Sequence, residues 1–461
     1  MAAWIPRLNH AGNLKYLSII EALESDIRSG ALKPGERLPP HRAIADALGV
    51  DVTTVTRAFN EAKSRGLVQA TAGRGTFVSA EWRDANMAAL ENAVSVDLSM
   101  NSPPQPEAAN VVALFAEATA QVLSGRHGAF RLHYQETTGS AYDRAAASEW
   151  LARRIADITT ARVLLSSGAQ CALYAILTML LSHGDLIAAG AFTYPGLKAI
   201  AARRGFRLAA LDMDSDGILP ESFERLCLRE PPKALYVIPT MDNPTTATLS
   251  VARRRLLADI ARRFGVAIVE DDPYAPLSAE PHEPIASFAP DITWHIATLS
   301  KCATPAMRIA YVVAPDGAGA LHLQSVLRAT NLMPPPVNAA VCSNWIGMGV
   351  LDRITLAIRR ENNARHALAR SALRDQRLAA DHDGHHIWLH LPDYWRADTF
   401  AGHAARSGIS VVPASAFAIS NSSVQAVRLS LGVAPSRAVL TDALRTLSAL
   451  ISEQPDMRVV V

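Results

Sequence analysis

Cysteine is scarce in this sequence, and signals for secretion or membrane insertion are missing from it. The four cysteines lie far apart and form no CxxC pair, which argues against a disulfide framework and is typical of a reducing cytosol. The N-terminus lacks a basic segment followed by an apolar one, so no signal peptide is expected. No apolar run approaches the length of a membrane span. We therefore expect a cytoplasmic protein.

An excess of charge of one sign is also missing. The formal net charge is +2 over 461 residues, so any nucleic-acid surface must be local rather than spread over the whole protein. Hydrophobic residues make up 49% of the chain and charged residues 19%, which argues against general disorder and leaves enough apolar side chains for a large core. At roughly 150 residues per domain, the length predicts two to three domains.

The first 80 residues have the pattern of a small DNA-binding domain. Apolar spacing predicts a helix over residues 14–29, and two short helices over 38–48 and 51–65 are joined by a glycine-containing turn. The last of these would lie in the major groove, and a hairpin over 67–78 would form a wing. The alternative is a purely structural helical unit. Side-chain types that contact bases and phosphates occur at Arg37, Arg42, Thr53, Thr54, Thr56, Arg57 and, at the hairpin tip, Arg74.

Short apolar runs alternate with amphipathic helical patterns over residues 96–461, after a mixed segment at 81–95 that we interpret as a linker. This alternation predicts an α/β domain with a mostly parallel sheet, whose sites lie at the carboxyl ends of the strands. The predicted strands cover residues 163–165, 186–189, 234–238, 266–269, 294–297, 309–313 and 427–430.

One lysine directly follows a predicted strand in this region. Lys301 comes after the strand at 294–297, with hydroxyl side chains beside it and Arg308 seven residues further on. A lysine forms an imine with an aldehyde cofactor when burial or a neighbouring cation lowers its pKa. Hydroxyls and a guanidinium suit the phosphate of such a cofactor. The alternative at this point is a solvated lysine after a strand.

Other polar side chains follow the remaining strands. The acids at 270–272 suit a metal, a helix cap or the ring nitrogen of a pyridine cofactor. Residues 166–170 open a helix, whose N-terminal amides favour a phosphate. The segments 192–196 and 242–245 have the composition of turns. Arg428 lies in the last predicted strand, either as a carboxylate ligand or as a solvated side chain.

The N-terminal region resembles the winged helix of GntR-family bacterial regulators. The resemblance covers about residues 14–78 and rests on Leu-Lys-Pro-Gly-Glu-Arg-Leu-Pro-Pro at 32–40, Thr-Thr-Val-Thr-Arg-Ala-Phe at 53–59 and Gly-Arg-Gly-Thr-Phe-Val at 73–78. It implies binding to double-stranded DNA.

Residues 96–450 resemble the fold-type I aminotransferases, which bind pyridoxal 5'-phosphate. The motifs that carry the resemblance are Ser-Gly-Ala-Gln at 167–170, Thr-Tyr-Pro-Gly at 193–196, Asp-Asp-Pro-Tyr at 271–274 and Ser-Lys at 300–301. By this resemblance Lys301 would form the Schiff base with the cofactor and Asp271 would bind its pyridinium nitrogen. Asn243 and Tyr274 would bind its phenolic oxygen. The implied fold is the type I α/β fold of these enzymes.

The same resemblance implies roles for further residues. Tyr194 would stack on the cofactor ring, and Tyr134 would reach the phosphate of the partner subunit. Arg428 would bind the carboxylate of an effector or substrate. No metal is implied. The phosphate would be held by Ala169, Gln170, Thr298, Ser300 and Arg308.

The combination of a GntR-type winged helix, mostly α with a β wing, and an aminotransferase-like domain resembles the MocR-type regulators. It implies a homodimer that binds an operator with two half-sites. Three functions stay open: a regulator that senses an amino compound through the cofactor and Lys301, an active aminotransferase with a DNA-binding domain, and a regulator that senses pyridoxal phosphate itself. Only the first two give Arg428 an obvious ligand.

Two segments depart from the family pattern. Pro-Ala-Met-Arg at 305–308 replaces the usual Pro-Gly-Leu-Arg, and Asn101-Ser102 stands where aminotransferases often have a glycine near the substrate. These departures bear on substrate turnover more than on cofactor binding.

Overall fold

The computed structural model describes residues 4–6, 15–28, 32–33, 35–64, 67–71, 75–79, 96–125 and 133–453. Two compact units divide the chain: Met1–Ser95 and Val96–Val461. Within the described residues, no helix is long and apolar enough to cross a membrane.

The described residues of the first unit form three helices and a β-hairpin. Its helices are α1 (Lys15–Arg28), α2 (His41–Leu48) and α3 (Val52–Ser64), and its strands β1 (Val68–Thr71) and β2 (Gly75–Val78) pair antiparallel. The three predicted helices and the hairpin are therefore confirmed, with bounds that differ by up to three residues. A core of apolar side chains from all of these elements joins them, including Ile19, Leu23, Ile44, Val55, Phe59 and Val78.

A glycine sets the turn between the two short helices. Gly49 ends α2 with φ 61°, in the left-handed region, and its amide donates to the carbonyls of Ala45 and Asp46. Glycine adopts this conformation without the steric penalty of a β-carbon. The chain thereby reverses into α3 after only a few residues.

The second unit is an α/β domain with a large central sheet. Among the residues described, that sheet has seven strands in the order β4, β12, β11, β10, β9, β5, β6. All pairs are parallel except those of β12, which is antiparallel to both neighbours. The strands of the unit are β3 (Val96–Asp97), β4 (Val163–Ser166), β5 (Leu186–Gly190), β6 (Arg207–Leu211), β7 (Met213–Asp214), β8 (Gly217–Ile218), β9 (Ala234–Val237), β10 (Ala267–Asp271), β11 (Thr293–Thr298), β12 (Ala310–Val313), β13 (Leu378–Ala380), β14 (His386–His390), β15 (Ile409–Ser410), β16 (Val412–Pro413) and β17 (Ala426–Ser430).

Helices pack against this sheet and bury it. The parallel strands β5 and β9 are buried at every position, as expected for parallel strands covered on both faces. The helices of the unit are α4 (Val111–Leu123), α5 (Ala141–Ala152), α6 (Ala169–Leu180), α7 (Pro195–Arg204), α8 (Pro220–Arg229), α9 (Val251–Phe264), α10 (Ile285–Phe288), α11 (Gly317–Asn331), α12 (Pro336–Gly347), α13 (Val350–Ala372), α14 (Ala397–Arg406) and α15 (Arg437–Ser452).

A smaller antiparallel sheet lies nearer the C-terminus. It has the strand order β13, β14, β17, β16, and it brings Arg428 opposite Trp388. The sequence predicted β17 and the buried strands of the large sheet, and the structure confirms them. It missed the edge strand β6, which begins with a charged residue, and β14, which begins and ends with histidine.

Candidate functional site

The predicted site residues of the second unit follow the carboxyl ends of neighbouring parallel strands. Asp271 is the last residue of β10, and Lys301 comes three residues after β11 ends. Tyr194 and Asn243 follow β5 and β9. Because β5, β9, β10 and β11 run parallel side by side, their ends meet at one edge of the sheet, where open α/β sheets bind ligands.

One cavity gathers nearly all of these side chains. Its volume is about 380 Å³, which suits a small ligand. Tyr134 is the one predicted cofactor residue that does not line it. The predicted residues in its wall are Ala169, Gln170, Tyr194, Asn243, Asp271, Tyr274, Thr298, Ser300, Lys301, Arg308 and Arg428.

Lys301 lines the cavity, and the pKa of its amine is lowered. Burial, and then the nearby Arg428 guanidinium, lower the pKa of Lys301 to about 8, although the Asp271 carboxylate acts in the opposite direction. The Lys301 ammonium donates a hydrogen bond to the main-chain oxygen of Asn101. A lysine with a pKa near 8 has an appreciable neutral fraction at physiological pH and is a competent nucleophile.

Asp271 is a buried carboxylate, and one of its two oxygens accepts no hydrogen bond from the described residues. The Tyr236 hydroxyl donates to its Oδ2 at 2.8 Å, while Oδ1 has no hydrogen-bond partner among the residues that the structure describes. Burial raises the pKa of Asp271 to about 6, and the hydrogen bond from Tyr236 partly opposes that rise. A buried, unpaired carboxylate oxygen suits a ligand that brings its own N–H and positive charge.

An anion-binding arrangement lies at the start of α6. Gly168 precedes the helix with φ 97°, and a β-carbon added there would lie 2.7 Å from Nη2 of Arg308. The Arg308 guanidinium also donates to the Ser167 carbonyl at 3.2 Å. Helix N-terminal amides, a guanidinium and the nearby Ser300 hydroxyl together favour a phosphate group.

Arg428 forms the cationic side of the cavity. It is 5% exposed, and its Nη1 donates to Oδ1 of Asn243 at 2.8 Å. Nη2 donates to the Ser99 carbonyl, and Nε has no hydrogen-bond partner within the described ranges. The guanidinium also stacks 5.0 Å from the centre of the Phe417 ring. A nearly buried arginine without a carboxylate partner suits a ligand carboxylate.

Three further residues complete the site and were not assigned roles from the sequence. Tyr236 supports Asp271, Asn101 contacts both Lys301 and Tyr274, and His386 lies 3.3 Å from the Asn101 side chain. The only available signals were the departure from glycine at position 101 and the strand pattern around Tyr236. Their positions relative to the cavity depend on strand pairing that the sequence does not reveal.

Tyr134 lies apart from this cavity and is 82% exposed. Within the described residues, its side chain does not line the cavity around Lys301. The role predicted for Tyr134 in a partner subunit therefore stays a prediction.

The predicted DNA-binding residues lie on the first unit. Arg37, Arg42, Thr53 and Arg57 are exposed, whereas Thr54 and Thr56 are partly buried. The Thr53 hydroxyl donates to Asp51 Oδ1 at 2.5 Å, and Thr56 Oγ1 lies 3.3 Å from Nδ1 of His41. Both threonines therefore already have partners within the domain.

Arg57 is held against an aromatic ring of the same unit. It lies on the recognition helix α3 with its guanidinium 4.2 Å from the centre of the Tyr16 ring. Tyr16, Arg57 and the α3 residues Thr53, Thr56 and Asn60 line a shallow depression of about 540 Å³. Arg74, predicted at the tip of the wing, lies outside the described residues.

Comparison with known families divides the chain in the same way. Residues 15–78 match the family described as bacterial regulatory proteins, gntR family. Residues 93–447 match aminotransferase class I and II.

Full-length relatives are transcriptional regulators. The chain is 31% identical to the uncharacterized HTH-type transcriptional regulator YdeF of Bacillus subtilis (strain 168), over 98% of this chain and 97% of the relative. It is 26% identical to the vitamin B6 salvage pathway transcriptional repressor PtsJ of Salmonella typhimurium (strain LT2), over 87% of this chain and 91% of the relative.

Solved aminotransferases share the fold of the second unit. LysN, the alpha-aminoadipate aminotransferase from Thermus thermophilus complexed with N-(5'-phosphopyridoxyl)-L-leucine, superposes with a TM-score of 0.71 at 22% identity. The match covers 85% of this chain and 98% of the enzyme. At this level of identity the likeness establishes the type I fold.

Proposed function

Because the chain belongs to the aminotransferase class I and II family and carries a gntR-family domain, as MocR-type regulators do, we propose that it is a pyridoxal phosphate-dependent transcriptional regulator. In this proposal the cavity around Lys301 binds the cofactor and senses an amino compound, and the first unit binds DNA. The proposal rests on three features that line one cavity. They are Lys301 with its lowered pKa, the unpaired Oδ1 of Asp271, and an anion cradle formed by the N-terminus of α6, Ser300 and Arg308.

The residues of the cavity fit the chemical groups of pyridoxal phosphate. Asp271 Oδ1 would accept the pyridinium N–H, and Lys301 would bind the aldehyde carbon. Tyr274 and Asn243 would bind the phenolic oxygen, and Tyr194 would pack on the ring. When bound, the cofactor supplies an electrophilic carbon and an electron-withdrawing ring. The phosphate would be held by the amides of Ala169 and Gln170, the hydroxyls of Thr298 and Ser300, and Arg308.

An effector with both an amino and a carboxyl group would match the remaining groups. Its amine would compete with Lys301 for the cofactor, and its carboxylate would pair with Arg428. That pairing would disturb the bond from Arg428 to the Ser99 carbonyl, and displacement of Lys301 from the cofactor would free its amine to donate to the Asn101 carbonyl. The segment that contains Ser99 and Asn101 would then have one arrangement with the effector bound and another without it. An effector that binds these two arrangements with different affinity shifts the balance between them, which is what a regulatory switch requires.

We further propose a cytoplasmic homodimer that binds two DNA half-sites. The exposed Tyr134 would then contact the cofactor phosphate in the partner subunit. DNA binding would depend on Arg37, Arg42, Arg57 and Arg74, with Thr53, Thr54 and Thr56 on the recognition helix.

The test combines cofactor absorbance with DNA binding on one full-length sample. Absorbance spectra of the wild type and of Lys301→Ala are recorded with added pyridoxal phosphate while amino acids, amines and aminosulfonates are titrated. Anisotropy of a fluorescent duplex, selected from a random pool by the protein itself, is measured in parallel. We expect a visible band that depends on Lys301, and a compound that moves the band and changes DNA affinity over the same concentration range.

The exposed Lys233 provides a matched lysine control, since Lys233→Ala should keep the band. Absence of any Lys301-dependent band in the wild type would overturn the cofactor part of the proposal. A compound that moves the band without changing DNA affinity would overturn the sensing part.

Two alternatives each have an observation in their favour. The presence in the cavity of every predicted cofactor residue except Tyr134 favours an active aminotransferase, which would show repeated amino transfer to an added oxo acid. The relative PtsJ, named as a vitamin B6 salvage pathway repressor, favours direct sensing of pyridoxal phosphate. In that case the cofactor alone would change DNA affinity and no amino compound would be required.

A further inference from the structure

Asn101 contributes two different atoms to the cofactor cavity. Its main-chain oxygen accepts from the Lys301 ammonium, and its side-chain Nδ2 lies 2.8 Å from the Tyr274 hydroxyl and 3.3 Å from Nδ1 of His386. Tyr274 is almost fully buried at 1% exposure. Its hydroxyl is therefore restricted to partners inside the protein or in the cavity.

His386 determines which way the Asn101 amide faces. Nε2 of His386 lies 3.0 Å from the main-chain oxygen of Asp242, which has only lone pairs to offer, so Nε2 must carry the proton. Burial, and then the Arg428 charge, lower the pKa of His386 to about 3, so the ring is neutral and Nδ1 is an acceptor. The Asn101 atom that faces Nδ1 must then be the NH2 group and not the carbonyl.

The orientation of Asn101 in turn fixes the role of the Tyr274 hydroxyl. The Asn101 NH2 group has two hydrogens, and the one not directed at His386 is available to the Tyr274 oxygen at 2.8 Å. A hydroxyl that accepts a hydrogen bond keeps its own proton free to donate elsewhere. The Tyr274 side chain also lines the cavity that holds Lys301 and Asp271.

We propose that Asn101 and His386 are positioning residues that make the Tyr274 hydroxyl a hydrogen-bond donor toward the phenolic oxygen of bound pyridoxal phosphate. The inference rests on the proposed function, since it requires that cofactor in the cavity. It gives a role to the asparagine that replaces the glycine often found near the substrate in aminotransferases. The charged and titratable groups that face or act on Tyr274 are Arg428, Asp271, Asp242, Tyr194, Lys301, His385 and His386.

The test is the pH at which the visible band of the bound cofactor is half converted, measured on the full-length, cofactor-loaded protein. A hydrogen bond donated to the phenolic oxygen stabilises its anionic form, so the bound cofactor releases its proton at lower pH. Asn101→Ala should therefore raise this spectral pKa, by about 0.5 to 1 unit for the loss of one hydrogen bond. Asn421→Ala, at an exposed asparagine of the same unit that does not line the cavity, should leave it unchanged.

A double-mutant cycle separates positioning from general destabilisation. His386→Gln should raise the spectral pKa in the wild-type background and have little further effect in Asn101→Ala. The hydrogen-bond contact of His386 at this site is with Asn101, and its contact with Tyr274 is a ring contact with 5.5 Å between the ring centres. Thermal unfolding of each variant shows whether it is folded at the temperature of the titration.

Two results would overturn the inference alone: an unchanged spectral pKa in folded Asn101→Ala, or additive shifts of the two substitutions. Absence of a Lys301-dependent band in the wild type would instead overturn both this inference and the proposed function.

Discussion

Asp271 and Lys301 both lie in the cavity with pKa values displaced toward their neutral forms. Burial is the main cause for each: it raises the pKa of Asp271 to about 6 and lowers that of Lys301 to about 8. Each charged form is therefore unfavourable while the cavity lacks a ligand. A cofactor that brings a pyridinium N–H and reacts with the amine would relieve both groups.

The raised pKa of Asp271 predicts that Asp271→Asn stabilises the cofactor-free protein near pH 7. A carboxyl whose pKa is higher in the folded state favours folding at low pH, and this contribution is lost as the pH rises from about 4 through about 6. Above that window the ionised carboxylate is a penalty, which asparagine removes while still accepting from Tyr236. We expect a gain on the order of 2 kcal/mol at pH 7, measured by denaturant unfolding, and weaker cofactor binding.

The neighbouring carboxylate supplies a control with the opposite sign. Asp272 is buried and forms an ion pair with Arg154 at 3.7 Å. Asp272→Asn leaves that arginine without its partner and should destabilise the protein. Equal destabilisation by both substitutions would contradict the account of Asp271.

The lowered pKa of Lys301 predicts the pH dependence of cofactor attachment. The rate should rise with pH as the amine loses its proton and level off above about pH 8, whereas an exposed lysine would level off above pH 10. Stopped-flow absorbance after mixing cofactor-free protein with pyridoxal phosphate measures this rate. Dividing by the rate for a free alkylamine removes the ionisation of the cofactor itself. A ratio that falls continuously across pH 7–10 is expected, and a constant ratio would contradict the prediction.

At the scale of single elements, the start of α6 combines an unusual backbone conformation with a close side-chain contact. Gly168 has a positive φ and lies against the Arg308 guanidinium, and Arg308 itself has φ 52°. Left-handed backbone at a non-glycine residue is uncommon and tends to occur at functional sites. The strand-to-helix connection therefore serves the anion cradle as well as the fold.

Gly168→Ala should weaken cofactor binding. The new β-carbon would meet Arg308 Nη2 at 2.7 Å and displace the guanidinium from the cradle. We expect at least a tenfold loss of affinity, equivalent to about 1.4 kcal/mol, in a spectroscopic titration.

Gly349→Ala is the matched control for this substitution. Gly349 has φ 66° and begins α13, but a β-carbon there would meet nothing within 4 Å. Gly349 (φ 66°, ψ 15°) lies in the left-handed helical region, whereas Gly168 (φ 97°, ψ 162°) has a conformation open almost only to glycine. Gly349→Ala therefore carries a smaller backbone penalty and no collision, and cofactor affinity should stay near that of the wild type. Equal losses of cofactor affinity in both variants would contradict a local effect of the new β-carbon on Arg308.

At the scale of the whole molecule, the two units have separate chemistry. The first carries exposed cationic side chains on a gntR-family domain, and the second contains the buried cavity. Since the overall charge is only +2, DNA affinity must come from a local surface, and we expect that surface on the first unit, which matches the gntR family. Phosphate contacts there would release counterions and make binding strongly salt-dependent.

Arg57→Ala should weaken DNA binding without changing the cofactor spectrum. The loss of one phosphate contact lowers the slope of log affinity against log salt by about one, measured by anisotropy across salt concentrations. Arg374→Ala, an exposed arginine of the second unit, is the control and should leave both properties unchanged. Loss of the visible band in Arg57→Ala would contradict this division of roles.

The sequence by itself determined the helices of the first unit, the buried strands of the large sheet and the residues that end them. These features are local: helical spacing, apolar runs and glycine turns act over a few residues. The motifs around Lys301 and Asp271 are similarly short, which is why their place at strand ends could be predicted before the fold was known.

Only the tertiary structure decided which side chains contact the residues at those strand ends. The bond from Tyr236 to Asp271 joins residues 35 apart, and the Asn101 side chain reaches Tyr274 across 173 residues. His386 comes from a strand that the sequence did not predict, since a segment with histidine at both ends has no clear strand pattern. Contacts of this range depend on strand order and register, which local patterns do not specify.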